Sequence, residues 1–139
     1  MKRLLIIEDD ALLRRIYSGK FGGAGLTVKI ATTGKQGLDL VQTYRPDGLL
    51  LDLMLPDISG LEILKQLRAV PDTQAMPVVV FTNAFLPGPV KQARDAGATE
   101  VITKAECSAT QLAQRVTQLL AQSTYIPPAG AEDAAAKPE

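Results

Sequence analysis

The chain has 139 residues, which is long enough for one compact domain with a hydrophobic core and too short for two such domains. Hydrophobic residues make up 46% of the chain and charged residues 22%, as in an ordinary soluble protein. Lysine plus arginine and aspartate plus glutamate both number 15, so the zero net charge argues against nucleic acid or an anionic membrane as the main partner.

The amino terminus and the cysteine content predict the compartment. The apolar run Leu4–Ile7 stops at Glu8, so it is too short for a secretory signal or a membrane span. Cys107 is the only cysteine, so no internal disulfide can form and a reducing compartment is favoured. We therefore predict a soluble cytoplasmic protein that does not enter a membrane.

Short apolar runs alternate with amphipathic segments along the chain, which predicts strands that alternate with helices. Runs that are apolar at every position are typical of parallel strands covered on both faces, whereas an alternating run is typical of an edge strand. In chain order the predicted strands are Leu4–Ile7, the alternating segment Leu26–Ile30, Leu49–Leu53, Val78–Phe81 and the shorter Val101–Ile102. Five strands alternating with five helices predict a doubly wound α/β domain.

Local patterns mark the ends and the buried faces of the helices. Capping boxes are predicted at Thr33 with Gln36 and at Ser108 with Gln111, and Gly97 is expected to end the helix before the last strand. Apolar residues at helical spacing predict the buried faces of the first and last helices: Leu13, Ile16, Tyr17 and Phe21, and Leu112, Val116, Leu119 and Leu120.

The composition changes after Ser123. The residues that follow are rich in proline, alanine and glutamate and offer little apolar surface to bury. We therefore predict a domain over residues 1–123 and a disordered tail or truncated linker over residues 124–139.

Polar side chains follow four of the predicted strands at their carboxyl ends. Glu8 and Asp9 follow the first strand, and Asp52 closes the third. Thr82 follows the fourth strand and Lys104 the fifth. Because ligands of open α/β sheets bind outside the carboxyl ends of the strands, we expect these five side chains to meet at one edge.

This set of side chains indicates phosphate chemistry with a metal ion. Three carboxylates repel one another unless a hard cation lies among them, and oxygen ligands with open positions suit Mg²⁺. A carboxylate can also act as the nucleophile that accepts a phosphoryl group. Lys104 and the Thr82 hydroxyl would then supply positive charge and a donor to the phosphoryl oxygens.

Each of these residues also has a simpler structural explanation. The acidic run at residues 8–10 can cap the first helix, and we keep that explanation for Asp10. Lys104 alone is typical of a solvated lysine, and Thr82 alone of a hydroxyl that bonds to nearby backbone. Asp52 follows an apolar run, however, and a carboxylate buried there needs a cationic partner. Only the functional interpretation explains the whole set.

Over about residues 2 to 122 the chain resembles the receiver domains of two-component response regulators. The resemblance rests on anchors in the family's order, each after an apolar run: the pair Glu8-Asp9, Asp52 in the stretch Leu51–Gly60, Thr82 and Lys104. It implies a flavodoxin-like doubly wound parallel sheet of five strands in the order 2-1-3-4-5, with five helices.

The resemblance also implies roles for these residues at a magnesium site. Asp52 would be the phosphoacceptor. Asp9 and Asp52 would bind Mg²⁺ directly, Glu8 would bind it partly through water, and the Met54 backbone carbonyl would be a further ligand.

The phosphoryl group would come from a phosphohistidine of a sensor histidine kinase or a phosphotransfer protein. Lys104 would pair with it and Thr82 would move to meet it. The resemblance further implies signalling to a downstream protein partner through the fourth and fifth helices, by a monomer or a phosphorylation-dependent dimer. The domain would not bind nucleic acid, and it would be no enzyme beyond promoting its own phosphotransfer and dephosphorylation.

The chain departs from the family at two positions near the lysine. Ala105 follows Lys104, where many receivers have proline, and this puts the usual cis peptide bond in question. Val101 stands where many receivers carry an aromatic residue that turns inward on activation. The usual coupling between the threonine and that aromatic residue therefore cannot operate unchanged.

Three other functions remain as alternatives. The first is a binding module of the same fold that does not use phosphate. The second is a flavin-binding protein, although acidic residues after the first strand would repel a flavin phosphate. The third is an aspartate phosphatase, which commonly has a second aspartate two residues after the nucleophile, where this chain has Met54.

Overall fold

A computed structural model describes residues 2–83 and 87–128 of the chain. Strands and helices alternate as the sequence predicts. In chain order they are β1 (Arg3–Ile7), α1 (Ala11–Gly23), β2 (Thr27–Ala31), α2 (Gly34–Tyr44), β3 (Gly48–Leu51), α3 (Gly60–Ala69), β4 (Val78–Thr82), α4 (Pro87–Asp95), β5 (Glu100–Thr103) and α5 (Ala109–Gln122). Among these described helices, none has the length and apolar character needed to cross a membrane.

The strands form one parallel sheet in the order β2-β1-β3-β4-β5, which confirms the predicted doubly wound, flavodoxin-like architecture. β3 and β4 are buried along their whole length, as expected for strands covered on both faces. β2 lies at an edge and alternates in exposure, as its sequence pattern predicts. The register pairs Ile7 with Leu51 and Thr82 with Thr103, so β1 ends level with β3, and β4 ends level with β5.

Apolar side chains fill both faces of the sheet. One cluster lies under α2, α3 and α4, and a second cluster lies under α1 and α5. Successive residues of a strand point to opposite faces, so Val80 belongs to the first cluster and Phe81 to the second. Asp52 and Thr82 therefore lie at the ends of strands that are packed on both faces.

The ends of most helices agree with the sequence patterns. Asp10 caps α1 by accepting hydrogen bonds from the backbone N–H groups of the first turn, which confirms its structural role. The capping box at Ser108 is complete. Gly97 follows α4 with a φ of 104°, in the left-handed region that favours glycine.

The capping box predicted at Thr33 is only half correct. The Thr33 side chain does accept a hydrogen bond from the Gln36 N–H. The Gln36 side chain, however, accepts from the N–H of Thr32 at 2.8 Å and not from that of Thr33. The Thr32 hydroxyl donates to the same oxygen at 3.2 Å, which draws the amide to the earlier residue.

The buried face of α1 is narrower than predicted. Tyr17 and Phe21 are buried and Leu13 is partly buried, but Ile16 is 38% exposed. One residue turns an α-helix by about 100°, so Ile16 lies well away from the stripe that Tyr17 and Phe21 form. The face predicted for α5 is confirmed, with partial burial at Leu119.

Tyr125, in the segment after α5, lies against the domain, whereas Ile126 is exposed. The Tyr125 hydroxyl donates a hydrogen bond to the Asp72 carbonyl oxygen at 2.7 Å, and Tyr125 packs against the cluster under α2 and α3. Residues 129–139 lie outside the described residues. The boundary after residue 123 and the disorder of the tail stay predictions.

Gly60 allows the start of α3 to approach the segment that contains Asp52. A Cβ atom at Gly60 would lie 2.3 Å from the Asp52 carbonyl oxygen and 2.7 Å from the Leu53 Cα. The Gly60 N–H also donates to the Leu53 carbonyl oxygen at 3.0 Å. Because the neighbouring atoms belong to backbone, they cannot turn aside as a side chain would.

We expect Gly60→Ala to lower the free energy of unfolding by about 1–3 kcal/mol, because the new methyl group forces the Asp52 backbone to move. Gly19→Ala is the matched control, since no atom lies within 4 Å of its Cβ position on α1. That substitution should raise the free energy of unfolding by about 0.5–1 kcal/mol. Urea unfolding followed by circular dichroism measures both, and equal stabilities would contradict the proposed contact.

Candidate functional site

The backbone ladder of the sheet carries the site residues just past the ends of their strands. The Glu8 N–H donates to the Ala31 carbonyl oxygen at 3.1 Å, and the Asp52 N–H donates to that of Ile7 at 3.3 Å. The Lys104 N–H donates to the Thr82 carbonyl oxygen at 2.8 Å. The main chain of these three candidate residues is thus hydrogen-bonded to a neighbouring strand.

Three carboxylates meet at this edge. One oxygen from each of Glu8, Asp9 and Asp52 lies within 4.8 Å of the others. Glu8 and Asp52 are 3% and 7% exposed, whereas Asp9 is open to solvent. Hard oxygen ligands with one open side fit a divalent cation that keeps part of its water shell.

Lys104 lies between the two buried carboxylates. Its Nζ is 3.2 Å from Glu8 Oε1 and 3.4 Å from Asp52 Oδ2, and its side chain is 14% exposed. An ammonium in this position offsets part of the repulsion between the carboxylates. Of the five predicted side chains, those of Glu8, Asp9, Asp52 and Lys104 therefore lie in one cluster.

One lysine does not balance this charge. Burial, and after it the nearby Asp52 carboxylate, raise the pKa of the Glu8 carboxyl to about 7 against the lowering effect of Lys104. Burial also raises the pKa of the Tyr17 phenol, as do the charges of Glu8 and Asp52. The site thus has an excess of negative charge in the absence of a further cation.

Asp52 is held through both of its oxygens. The Met54 N–H donates to Oδ1 at 3.1 Å, while Oδ2 faces Lys104. The Met54 side chain is 71% exposed, so this residue contributes to the site through its backbone. The sequence indicated only the Met54 carbonyl, and the assignment of that carbonyl to a metal stays a prediction.

Thr82 is the last residue of β4 and is fully buried. It joins the site through the backbone bond to Lys104. A role for its hydroxyl in binding a phosphoryl group stays a prediction. The peptide bonds of the described residues are all trans, including the bond between Lys104 and Ala105, in keeping with the absence of proline at that position.

The structure adds residues that sequence patterns did not indicate. The Asp57 carboxylate accepts hydrogen bonds from the N–H groups of Lys35 and Gly34, which lower its pKa and tie the segment after Asp52 to the start of α2. The Arg14 guanidinium donates to the Glu8 carbonyl oxygen at 3.2 Å. The Asp57 contacts join segments that are far apart in the sequence, and the Arg14 contact depends on how the chain turns after β1. Residue spacing therefore does not predict either contact.

The sequence matches the family model described as the response regulator receiver domain over residues 4–117. It is similar to the response regulator MprA of Mycolicibacterium vanbaalenii, with 33% identity over 134 residues that cover 96% of this chain and 56% of MprA. MprA of Mycobacterium avium is 33% identical over 102 residues, which cover 73% of this chain and 44% of that protein. The chain spans about half the length of these curated relatives.

Solved structures show the same architecture. A protein from Chloroflexus aurantiacus described as a response regulator is 29% identical, with a TM-score of 0.80 and coverage of 87% of this chain and 98% of that chain. The BeF3-activated receiver domain of DrrB is 26% identical, with a TM-score of 0.76 and coverage of 88% and 99%. With the family model spanning most of the sheet and the acidic edge in place, the chain belongs to the receiver domains of two-component response regulators.

Proposed function

We propose that Asp52 accepts a phosphoryl group from a phosphohistidine of a sensor histidine kinase or a phosphotransfer protein, in a reaction that depends on Mg²⁺. The observation that carries this proposal is a buried carboxylate, 7% exposed, that shares an open sheet edge with two more carboxylates and an ammonium. A purely structural aspartate would need only one partner, so crowding of like charge favours a site for ligands.

The contacts of Asp52 suit a carboxylate nucleophile. An oxygen of Asp52 forms a bond to phosphorus as the phosphorus–nitrogen bond of the phosphohistidine breaks. The electron pair of that bond stays with the imidazole, which takes up a proton. The Met54 N–H and the Lys104 ammonium orient the carboxylate before the reaction, so little reorganisation is needed during it.

Glu8, Asp9 and Asp52 are the side chains that would hold Mg²⁺, and the Met54 carbonyl would be a further ligand. The donor set fits this ion because all of the ligands are hard oxygens and one side of the cluster is open. When bound, Mg²⁺ supplies positive charge to the phosphoryl oxygens and offsets the repulsion among the carboxylates.

Lys104 and Thr82 would bind the transferred group. The Lys104 ammonium already contacts the Asp52 oxygen at 3.4 Å, so a phosphoryl group on Asp52 would lie within its reach. The Thr82 hydroxyl would donate to a phosphoryl oxygen after a local movement. The chain would promote its own phosphotransfer and dephosphorylation and would turn over no separate substrate.

Phosphorylation would change the packing of α4, β5 and α5 and thereby the affinity for a downstream protein partner. Val101 is partly buried in the cluster under α2, α3 and α4, where many receivers carry an aromatic ring. The switch would therefore work without that ring. We place this activity in the cytoplasm, in a monomer or a phosphorylation-dependent dimer, with the output in a longer regulator or a separate protein.

The acceptor can be tested by intact-mass measurement after incubation with Mg²⁺ and acetyl phosphate. The wild-type chain should gain one phosphoryl group and Asp52→Asn should gain none, because an amide oxygen is a poor nucleophile. Asp57→Asn is the matched control, since Asp57 lies in the same segment and its carboxylate accepts hydrogen bonds from backbone N–H groups of α2. That variant should be phosphorylated like the wild type.

If the wild type gains no phosphoryl group from acetyl phosphate, direct transfer from phosphorylated histidine kinases decides the question. Failure of both donors with a folded protein would overturn the proposal in favour of a binding module that does not use phosphate. Gain of a phosphoryl group by Asp52→Asn would place the acceptor elsewhere.

The affinity for Mg²⁺ should fall as the pH is lowered through the pKa of Glu8. A metal ligand must be deprotonated, and Glu8 with a pKa of about 7 is largely protonated at pH 6 in the metal-free protein. We expect the dissociation constant to rise about tenfold between pH 8 and pH 6. Isothermal titration calorimetry in buffers of different ionisation enthalpy measures both this change and the proton released.

Glu8→Gln is the control for that pH dependence. The variant should bind Mg²⁺ more weakly at pH 8, and its affinity should change little between pH 6 and pH 8 because the titrating carboxyl is gone. An unchanged pH dependence in the variant would show that another group takes up the proton.

A further inference from the structure

The side chain of Lys104 has to cross the end of β4 to reach its partners. Asp52 follows β3 and Lys104 follows β5, and β4 lies between these two strands in the sheet. Neighbouring strands are about 4.8 Å apart, so the lysine spans two strand spacings to bring its Nζ to 3.4 Å from Asp52 Oδ2. The Lys104 side chain therefore contacts residues at the end of β4.

The aromatic ring of Phe81 lies where the Lys104 side chain passes the end of β4. It precedes Thr82 on β4, and its ring centroid lies 6.0 Å from Lys104 Nζ, with the ammonium over the ring. Phe81 is 5% exposed, so little water competes for this contact. An ammonium near an aromatic face is attracted by the ring quadrupole, and the attraction grows as water is excluded.

Other aromatic residues hold the Phe81 ring in place. Tyr17 of α1 packs on Phe81 with ring centroids 5.9 Å apart, and Phe21 packs edge-on against Tyr17 at 6.4 Å. Tyr17 and Phe21 are 3% and 0% exposed. Because these three rings are in contact within a packed core, the face of the Phe81 ring under Lys104 has a fixed orientation.

The ring differs from the two carboxylates in one respect that matters for phosphotransfer. Glu8 and Asp52 are the groups that would also bind Mg²⁺, and Asp52 would carry the phosphoryl group. Their attraction for Lys104 therefore changes during the reaction, whereas the attraction of an aromatic ring does not. A flexible lysine with four rotatable bonds needs such a constant partner if it is to stay in place.

We propose that Phe81 is a positioning residue for phosphotransfer, whose ring holds the Lys104 ammonium at the end of β4 toward the phosphoryl group on Asp52. This inference rests on the proposed function of Asp52. Phe81 touches neither phosphate nor metal and acts only through the lysine. Loss of the ring should misplace the ammonium and slow phosphotransfer without weakening the metal site.

The test compares Phe81→Leu, which removes the ring and keeps an apolar side chain, with Phe81→Tyr, which keeps the ring. Phosphorylation rates are measured over a range of acetyl phosphate concentrations at saturating Mg²⁺. For Phe81→Leu we expect the maximal rate to fall about threefold to tenfold, with little change in the half-saturating donor concentration or in Mg²⁺ affinity. Phe81→Tyr should keep a rate close to that of the wild type.

Val79→Ala is the matched control for loss of core packing. Val79 lies on the same strand, is 3% exposed and belongs to the same cluster as Phe81, but no ring is lost with it. Its variant should be less stable and should keep the wild-type rate. If Val79→Ala slows phosphorylation as much as Phe81→Leu does, or if Phe81→Leu reacts like the wild type, the positioning role of Phe81 is overturned.

A second measurement does not depend on activity. In ¹³C-lysine-labelled protein, the ε-methylene protons of Lys104 should lie upfield in the wild type because of the ring current of Phe81. They should move toward the position of a free lysine in Phe81→Leu and stay in Val79→Ala. Absence of that shift contradicts the contact itself. Absence of phosphorylation in the wild type instead contradicts the function of Asp52, so the two failures are distinguishable.

Discussion

The ion pairs of Lys104 with Glu8 and Asp52 are the interaction on which the rest of this edge depends. Two buried carboxylates lie together only if positive charge lies between them or one of them takes up a proton. The structure does both in part: Lys104 lies 3.2 Å and 3.4 Å from the two groups, and the pKa of Glu8 is still about 7. The remaining negative charge leaves an acidic cluster whose oxygens could hold a cation.

The strand order explains why these groups meet. β1 and β3 are neighbours in the centre of the sheet, so Glu8 and Asp52 are adjacent although 44 positions separate them in the chain. Sequence patterns were sufficient to predict this edge because each anchor is a polar residue at the end of an apolar run. The alternation of strands and helices, the edge position of β2 and the cap at Asp10 follow from the same local signals.

The contacts that the sequence could not predict depend on side-chain direction or on distant segments. The hydrogen bonds of Asp57 to α2 join residues 22 and 23 positions apart, and no local pattern encodes them. The spacing of a capping box predicts that the Gln36 side chain accepts a hydrogen bond from the Thr33 N–H, but it accepts one from the Thr32 N–H. The sequence gives no sign of the contact between Phe81 and Lys104, because a phenylalanine near the end of an apolar strand is typical of an ordinary core residue.

The two halves of the site are held by different kinds of interaction. On the Asp52 side, the Met54 N–H, the close approach of Gly60 and the capping bonds of Asp57 fix the backbone directly. On the Lys104 side, one backbone bond to Thr82 fixes the main chain, and the ammonium is held by charge and by a ring. A change of charge on Asp52 therefore acts on a rigid acceptor segment and on a lysine that has one constant partner, the Phe81 ring, and two partners whose attraction depends on charge. The response to phosphorylation should begin at the ion pairs of Lys104, because the backbone contacts of Gly60 and the hydrogen bonds of Asp57 do not involve the Asp52 carboxylate and the ion pairs do.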